Sequence, residues 1–436
     1  MPTNESPTQD AGWYRPDHPE NPEDAQKPVV LAYKLVGDSP THLRDRLNHQ
    51  LDAIRSGYRV GLEEGCTHPL VTPFVVSYPD VVDTRPIAGP ASLLEMFIQR
   101  GVSVSADPVL VGAPAYKPGA LTRGDFGRVP VKMLAQSPPR RRPLADVPGG
   151  RRPVVALLDT AVEQHPWLEP DPERPDDDFW IDARHKGWLP GPRLTEGSSP
   201  AGARELGDQE GHGTFCAGLV RQVAPDARVL AVHVIRDDGR VYGDHVLNAL
   251  GWLNSLDGAN ALVEGDVVCL PVGFQPNWPT DSTYLAWLGD VLTQLGERGV
   301  RVVAAAGNDG EAYPTYPAAF AVATNPPKVP LVSVGAFNTN GRTYAEFSNH
   351  GDSKWGDWVT AWEVGTSVVS TFPAVNGAAR SELVVEGGRR ESADPDDFTG
   401  GFARWSGTSF AAAIYAGRCA QRPVGPPLDA IDVGPA

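Results

Sequence analysis

Apolar and polar positions change rhythm along the chain, and each change marks a region. Residues 1–28 are polar and proline-containing, with almost no aliphatic side chains. So little apolar surface cannot offset the entropy of ordering, so a disordered N-terminal segment is expected. Apolar runs begin at residues 29–36, which read as a strand. Residues 41–56 place Leu43, Leu47, Leu51 and Ile54 on one helical face. Residues 71–76 and 102–111 read as strands, and 91–99 as a second short helix. Strands and helices in that order predict a small α+β domain over residues 29–116.

Residues 117–152 break the pattern with Pro, Gly and Arg, including Arg140-Arg141-Arg142 and Arg151-Arg152, and an exposed linker is expected. From Pro153 onward a new rhythm starts. Apolar runs at 154–158, 229–235, 267–272, 300–306 and 331–336 alternate with helical spacing near 211–222, 243–256, 281–298 and 408–420. Buried strands alternating with helices predict an α/β domain over 153–424, a parallel β-sheet flanked by helices, followed by a C-terminal tail at 425–436. Two Asp-, Pro- and Gly-rich stretches, 169–208 and 374–404, read as surface insertions. Asp176-Asp177-Asp178 belongs to the first and is expected to be a solvated loop.

Composition changes this picture in three ways. The length of 436 residues calls for more than one folding unit, and the hydrophobic fraction of 41% supports a large core. The formal net charge of −16 argues against nucleic acid as a partner, because phosphate binding needs a basic surface. The N-terminus has neither a basic start nor an apolar run, and no stretch of about 18 apolar residues occurs, so neither a secretory signal nor a membrane span is expected. Cysteines at 66, 216, 269 and 419 lack metal-ligand spacing, which suits a reduced, cytoplasmic chain with no metal site.

Candidate chemistry sits where the sheet rhythm meets polar residues. The apolar run 154–158 ends in Asp159-Thr160, and functional groups of open parallel sheets collect at strand carboxyl ends. Gly211-His212-Gly213-Thr214 frames a histidine with glycines at a helix start, where another backbone or a substrate can approach closely. Residues 302–306 run into Gly307-Asn308-Asp309, placing an amide where it could donate to a developing oxyanion. Ser409, in Ser406-Gly407-Thr408-Ser409, begins a helix of small residues, a position that favours negative charge. Each piece alone also fits a turn, a cap or a core histidine.

Together they are specific. Asp159, His212, Asn308 and Ser409, in that order within an α/β frame, resemble the subtilisin-like serine peptidases (subtilases) over about residues 153–420. The resemblance implies a serine endopeptidase without cofactor, acting on peptide or protein substrates. It implies a triad of Asp159, His212 and Ser409 with Asn308 in the oxyanion hole. It also implies that Gly239, Arg240 and Val241 line one wall of a substrate cleft, Pro271, Val272 and Gly273 the other, and Asp309 the pocket rim. By the same resemblance, residues 29–116 are a prodomain or recognition domain, and the tail after residue 111 enters the cleft as a substrate-like strand. The chain departs from the family pattern at Cys269, Pro271 and Ala413-Ile414. Cys216, four residues after His212, is expected on the same helix face. The competing class is an inactive peptide-binding relative, against which the complete set of four groups argues.

Overall fold

The computed structural model describes residues 29–33, 39–53, 59–62, 70–77, 90–100, 102–112, 127–133, 137–170, 174, 177–188, 206–276, 281–322, 329–378, 382–385, 388–391 and 394–421. The N-terminal segment 1–28, residues 113–116 of the expected tail, Asp176 and the C-terminal segment 425–436 lie outside them. The chain forms two compact units: Met1–Val109 with Tyr242–Gly251 and Pro276–Leu288, and Leu110–Val241 with Trp252–Gln275 and Gly289–Ala436.

The first unit contains β1 (Val29–Tyr33), α1 (Pro40–Ala53), β2 (Arg59–Leu62), β3 (Val71–Ser77), α2 (Pro90–Gln99) and β4 (Val104–Ala106). The strands form an antiparallel sheet in the order β2-β3-β1-β4. Leu43, Leu47 and Leu51 of α1 bury their stripe with Leu94 and Phe97 of α2 and with Val60, Phe74 and Val104 of the sheet. The stretch 102–111, expected as one strand, is two. Asp107-Pro108 separates β4 from β5 (Val109–Gly112), because Pro108 has no N–H to continue a ladder. The Asp107 carboxylate instead accepts the Asp244 N–H at 3.0 Å, and Asn248 accepts the Val71 N–H at 2.9 Å.

The second unit continues with β6 (Val129–Pro130), β7 (Val154–Asp159), β8 (Trp180–Asp182), α3 (His212–Val223), β9 (Arg228–His233) and β10 (Arg240–Tyr242). Next come α4 (Gly243–Ser255), whose residues 243–251 belong to the first unit, β11 (Val267–Leu270), β12 (Val272–Gly273), α5 (Ser282–Glu297), whose residues 282–288 also belong to the first unit, β13 (Arg301–Ala305), β14 (Leu331–Phe337) and β15 (Ala361–Val364). β16 (Val368–Thr371), β17 (Glu382–Val385), β18 (Gly388–Glu391), β19 (Phe402–Trp405) and α6 (Thr408–Gln421) complete it. Seven strands form a parallel sheet in the order β15-β14-β13-β11-β7-β9-β8. Its central strands are buried on both faces, as unbroken apolar runs such as Val302 to Ala305 require. Helix α6 packs along β11, β13 and β14 and against α3. Among the described residues, no helix is long and apolar enough to cross a membrane.

The arginine-rich stretch is exposed at Arg140, Arg142 and Arg151 but not throughout. Arg141 and Arg152 are 8% and 3% exposed. Arg141 donates to the carbonyls of Asp177, Pro225 and Ala227 at 2.6, 2.9 and 3.2 Å. Arg152 bonds the Asp177 carboxylate at 2.6 Å, Arg142 bonds Asp226 at 2.6 Å, and Arg151 grips Asp266 through two 2.7 Å bonds. Asp226 precedes β9, Asp266 precedes β11 and Arg152 precedes β7, so these ion pairs lace the amino edge of the parallel sheet. Asp177, expected in a solvated loop, is shared by Arg141, Arg152 and Arg228. Further along, β6 pairs with β19, so residues 129–130 also belong to the second unit. The two expected surface insertions reach the core as well: Phe179, Phe398 and Phe402 are buried, and β8 is an edge strand of the main sheet.

Candidate active site

The carboxyl edge of the same sheet gathers the candidate groups. Asp159 ends β7 and is fully buried. Its main-chain oxygen accepts from Val234 and Ile235 at 2.9 and 3.1 Å, which fixes the chain just where the strand stops. Its Oδ1 accepts the Thr160 N–H at 2.6 Å and lies 2.7 Å from His212 Nδ1. His212 opens α3. A Cβ at Gly213 would stand 2.3 Å from the Thr160 carbonyl, so only glycine lets this helix start so close to the strand end. Gly211 adopts φ +81°, and a side chain there would strike the Phe372 ring at 2.5 Å. The imidazole is walled by Trp405, edge-on at 5.5 Å, and by Phe410 at 5.2 Å. Cys216 lies one turn along α3, with Sγ 3.8 Å from Nδ1. Burial and the charge of Asp159 push its thiol well above the usual range, so it stays protonated.

Opposite them, Ser409 stands in the first turn of α6, fully buried, its hydroxyl donating to the Pro271 carbonyl at 3.4 Å. Pro271 falls between β11 and β12, where the chain leaves the parallel sheet, so its missing N–H costs no ladder bond. Asn308 follows β13. Its Oδ1 accepts the Thr408 N–H and hydroxyl, both at 2.8 Å. With Oδ1 so engaged, the orientation of the amide is determined, and Nδ2 is the spare donor beside Gly407. Asn349, fully buried, holds the whole turn. Its Oδ1 accepts from Asp309 and Glu311 N–H at 2.9 and 3.1 Å, and its own N–H donates to Gly307 at 2.9 Å. Three polar atoms here have no hydrogen-bond partner among the described residues: Asp159 Oδ2, His212 Nε2 and Asn308 Nδ2. Buried polar atoms are rarely left so.

The expected cleft walls are strands that border one another's gap. β10 carries Arg240 and Val241, with Gly239 at its preceding turn, and β12 carries Val272 and Gly273. Between them lies β5, giving a sheet in the order β10-β5-β12. Gly112 stands opposite Val272 and Val111 opposite Gly273, antiparallel. The backbone N–H of Asp309 is held by Asn349, so this residue sits on the same turn as Asn308.

Sequence reasoning missed Thr408 as a support, and missed Asn349 and Trp405 altogether. Asn349 lies in Phe347-Ser348-Asn349, a polar pair after an aromatic residue, and no local periodicity marks it. Among the described residues, Asp159, His212 and Cys216 are the group whose donor atoms come within 4.8 Å of one another in a metal-ligand manner. Their donor atoms already contact each other, as given above.

The sequence profile of the subtilase family matches residues 150–422. Among curated proteins, subtilisin BL of Lederbergia lenta is 30% identical over 250 residues, covering 53% of this chain and 73% of that protein. A subtilisin of Bacillus sp. strain TA39 is 30% identical over 291 residues, covering 63% of this chain and 57% of that one. Among solved structures, a cold adapted subtilisin-like serine proteinase aligns over 61% of this chain and 72% of its own, with 19% identity and a TM-score of 0.37.

Proposed function

The chain belongs to the subtilase family and is a serine endopeptidase, and we propose that Asp159, His212, Ser409 and Asn308 carry out its reaction. His212 Nε2 takes the Ser409 proton as the oxygen attacks the scissile carbonyl. Asp159, bonded to Nδ1, holds the tautomer and stabilises the imidazolium. Asn308 Nδ2 and the Ser409 N–H donate to the oxyanion. His212 then protonates the leaving amine, and water releases the acyl group. The observation that carries this reading is the buried 2.7 Å Asp159–His212 contact with Nε2 and Asn308 Nδ2 both left available. A fluorophosphonate should label the parent chain at Ser409 and leave Ser409→Ala unlabelled; a parent that stays unlabelled under conditions where it is folded would overturn the assignment.

A finer reading concerns regulation. β5 runs antiparallel to β12 between the two expected walls, the position a bound peptide would take as an added strand. We infer that residues 29–116 restrain the enzyme by filling its cleft with their last strand, and that substrates enter the same groove when it is vacated. Val111→Pro, whose fixed φ is incompatible with the ladder, should raise hydrolysis of a small peptide by the full chain. An unchanged rate would favour a recognition domain that leaves the cleft open. Neither nucleic acid nor a membrane is needed in this scheme.

A further inference from the structure

The turn that delivers His212 to its place is closed by a cation from a distant segment. Residues 207–210 bend tightly: the Glu210 N–H donates to Gly207 at 3.0 Å, the Gln209 N–H to Asp237 at 2.8 Å and the His212 N–H to Gln209 at 3.0 Å. The outward carbonyls converge. Arg128 Nη1 donates to the oxygens of Gly207, Asp208 and Glu210 at 2.7, 3.3 and 3.0 Å. Three main-chain oxygens around one positive nitrogen is the arrangement a bound metal cation would enjoy, filled here by a side chain. The guanidinium also lies 5.7 Å from the Trp405 ring and 5.8 Å from the Phe372 ring. Trp405 is the edge-on wall of His212, and Phe372 is the ring that excludes a side chain at Gly211. One residue therefore holds the turn before His212 and lies beside two of the rings around it. Burial pulls the guanidinium's pKa down, while the charges of Glu210, Asp208, Asp396 and Asp237 oppose that shift.

We propose that Arg128 is a positioning residue for His212, a built-in cation that locks the 207–210 turn and the aromatic wall beside the imidazole. The backbone around Arg128 is anchored independently, by the pairing of Val129 with Arg404 and of Pro130 with Ala403. Truncating the side chain thus leaves the strand in place while releasing the turn. The inference rests on the peptidase reading above.

The test uses the full chain and three readouts: melting temperature, the rate of fluorophosphonate labelling at Ser409, and kcat and KM on a small peptide. Arg128→Ala should slow labelling and lower kcat by about 10-fold or more, with KM changed less than about twofold, because a misplaced base hurts the chemical step rather than binding. Arg128→Lys, with charge but no planar fork, should recover part of the rate. Ethylguanidinium added to Arg128→Ala should recover more than ethylammonium does. Folded Arg128→Ala that labels at the parent rate overturns the proposal, as does a loss seen in KM alone. If Arg128→Ala does not fold, Arg128→Lys decides: a rate equal to the parent's overturns it. A parent chain that is not labelled overturns the peptidase reading and this inference with it, whereas a labelled parent beside an equally labelled variant overturns this inference alone.

Discussion

The two edges of the parallel sheet are built from similar groups to opposite ends. At the amino edge, Arg141, Arg142, Arg151 and Arg152 meet Asp177, Asp226 and Asp266 in matched ion pairs and in hydrogen bonds to carbonyls. At the carboxyl edge, Asp159 meets His212 just as closely, yet Asp159 Oδ2, His212 Nε2 and Asn308 Nδ2 have no partner among the described residues. Both edges bury charge, which is expensive unless it is compensated. The amino edge compensates fully and so fixes how β7, β9 and β11 start. The carboxyl edge stops short, and the atoms left over are the ones a reacting peptide would satisfy. Matched charge holds the sheet; unmatched polar atoms, held rigid by their neighbours, are free to do chemistry.

The sharpest way to break this comparison is to ask which edge controls rate. Ser409→Ala or His212→Ala should lower kcat by about five orders of magnitude or more, since nucleophile and base act as one unit. Asn308→Ala should lower it about 10²–10³-fold, leaving measurable turnover, because one oxyanion donor remains. All three should melt within a few degrees of the parent. Thermal melts and peptide hydrolysis on the same samples check both halves of the claim, and a strongly destabilised Asn308→Ala would mean that the carboxyl edge is structural too.

The amino edge should show the reverse. Arg152→Ala removes charged hydrogen bonds from the half-buried Asp177 carboxylate, which keeps Arg141 and Arg228 nearby, and should destabilise the fold by about 1.5–3 kcal/mol. Activity per folded molecule should stay within about twofold, because nothing at that edge touches the triad. Denaturant unfolding beside active-site titration checks it. Loss of turnover in molecules that remain folded would tie the two edges together.

A smaller effect separates the edges by pH. Burial alone would push the Asp177 carboxyl up, but its hydrogen bond to Arg152 and the charges of Arg141, Arg152 and Arg228 outweigh that and hold it below the usual range. Asp226 behaves alike, with burial opposed by Arg142 and Arg152. A carboxyl depressed in the folded state stabilises the fold above its unfolded value of about 3.9, and that contribution is lost as pH falls through the folded value. Stability should therefore drop as pH is lowered below about 4, and Arg152→Gln should make that drop shallower. Melting temperatures from pH 6 to pH 2 give the slope; identical slopes in parent and variant would remove the amino edge from the acid response.

The sequence made one edge readable and hid the other. Asp159, His212, Asn308 and Ser409 each sit at a strand end or helix start, beside glycines or after an apolar run, so local pattern finds them. The central strands and α3 to α6 are legible for the same reason: their periodicity is set by burial in a sheet covered on both faces. Arg141 and Arg152 were read as solvated because Pro- and Arg-rich sequence has no period. Their burial depends on carbonyls and carboxylates dozens of residues away. Asn349, Trp405 and Arg128 were hidden likewise: each supports the site from a separate part of the chain, and only folding brings them together. The break at Asp107-Pro108 was visible in the residues, yet the apolar run around it suggested one strand.

The smallest expected effect lies at the carboxyl edge itself. Asp309 follows Asn308, and its backbone N–H is fixed by Asn349 Oδ1 at 2.9 Å. Alanine keeps that N–H, so Asp309→Ala should leave the bond to Asn349 and the oxyanion donor in place. What it removes is a half-buried carboxylate on the turn that would border the primary pocket. If the carboxylate selects substrate, the parent should prefer Lys or Arg over Glu on the acyl side of the scissile bond. Partial exposure limits that preference to about 1 kcal/mol or less, roughly fivefold. Paired kcat/KM values for otherwise identical Lys and Glu peptides measure it directly, and raising the salt should shrink it further. Asp309→Ala should bring the two values together. A preference that survives the substitution would assign Asp309 to the turn alone and move the source of selectivity elsewhere in the cleft.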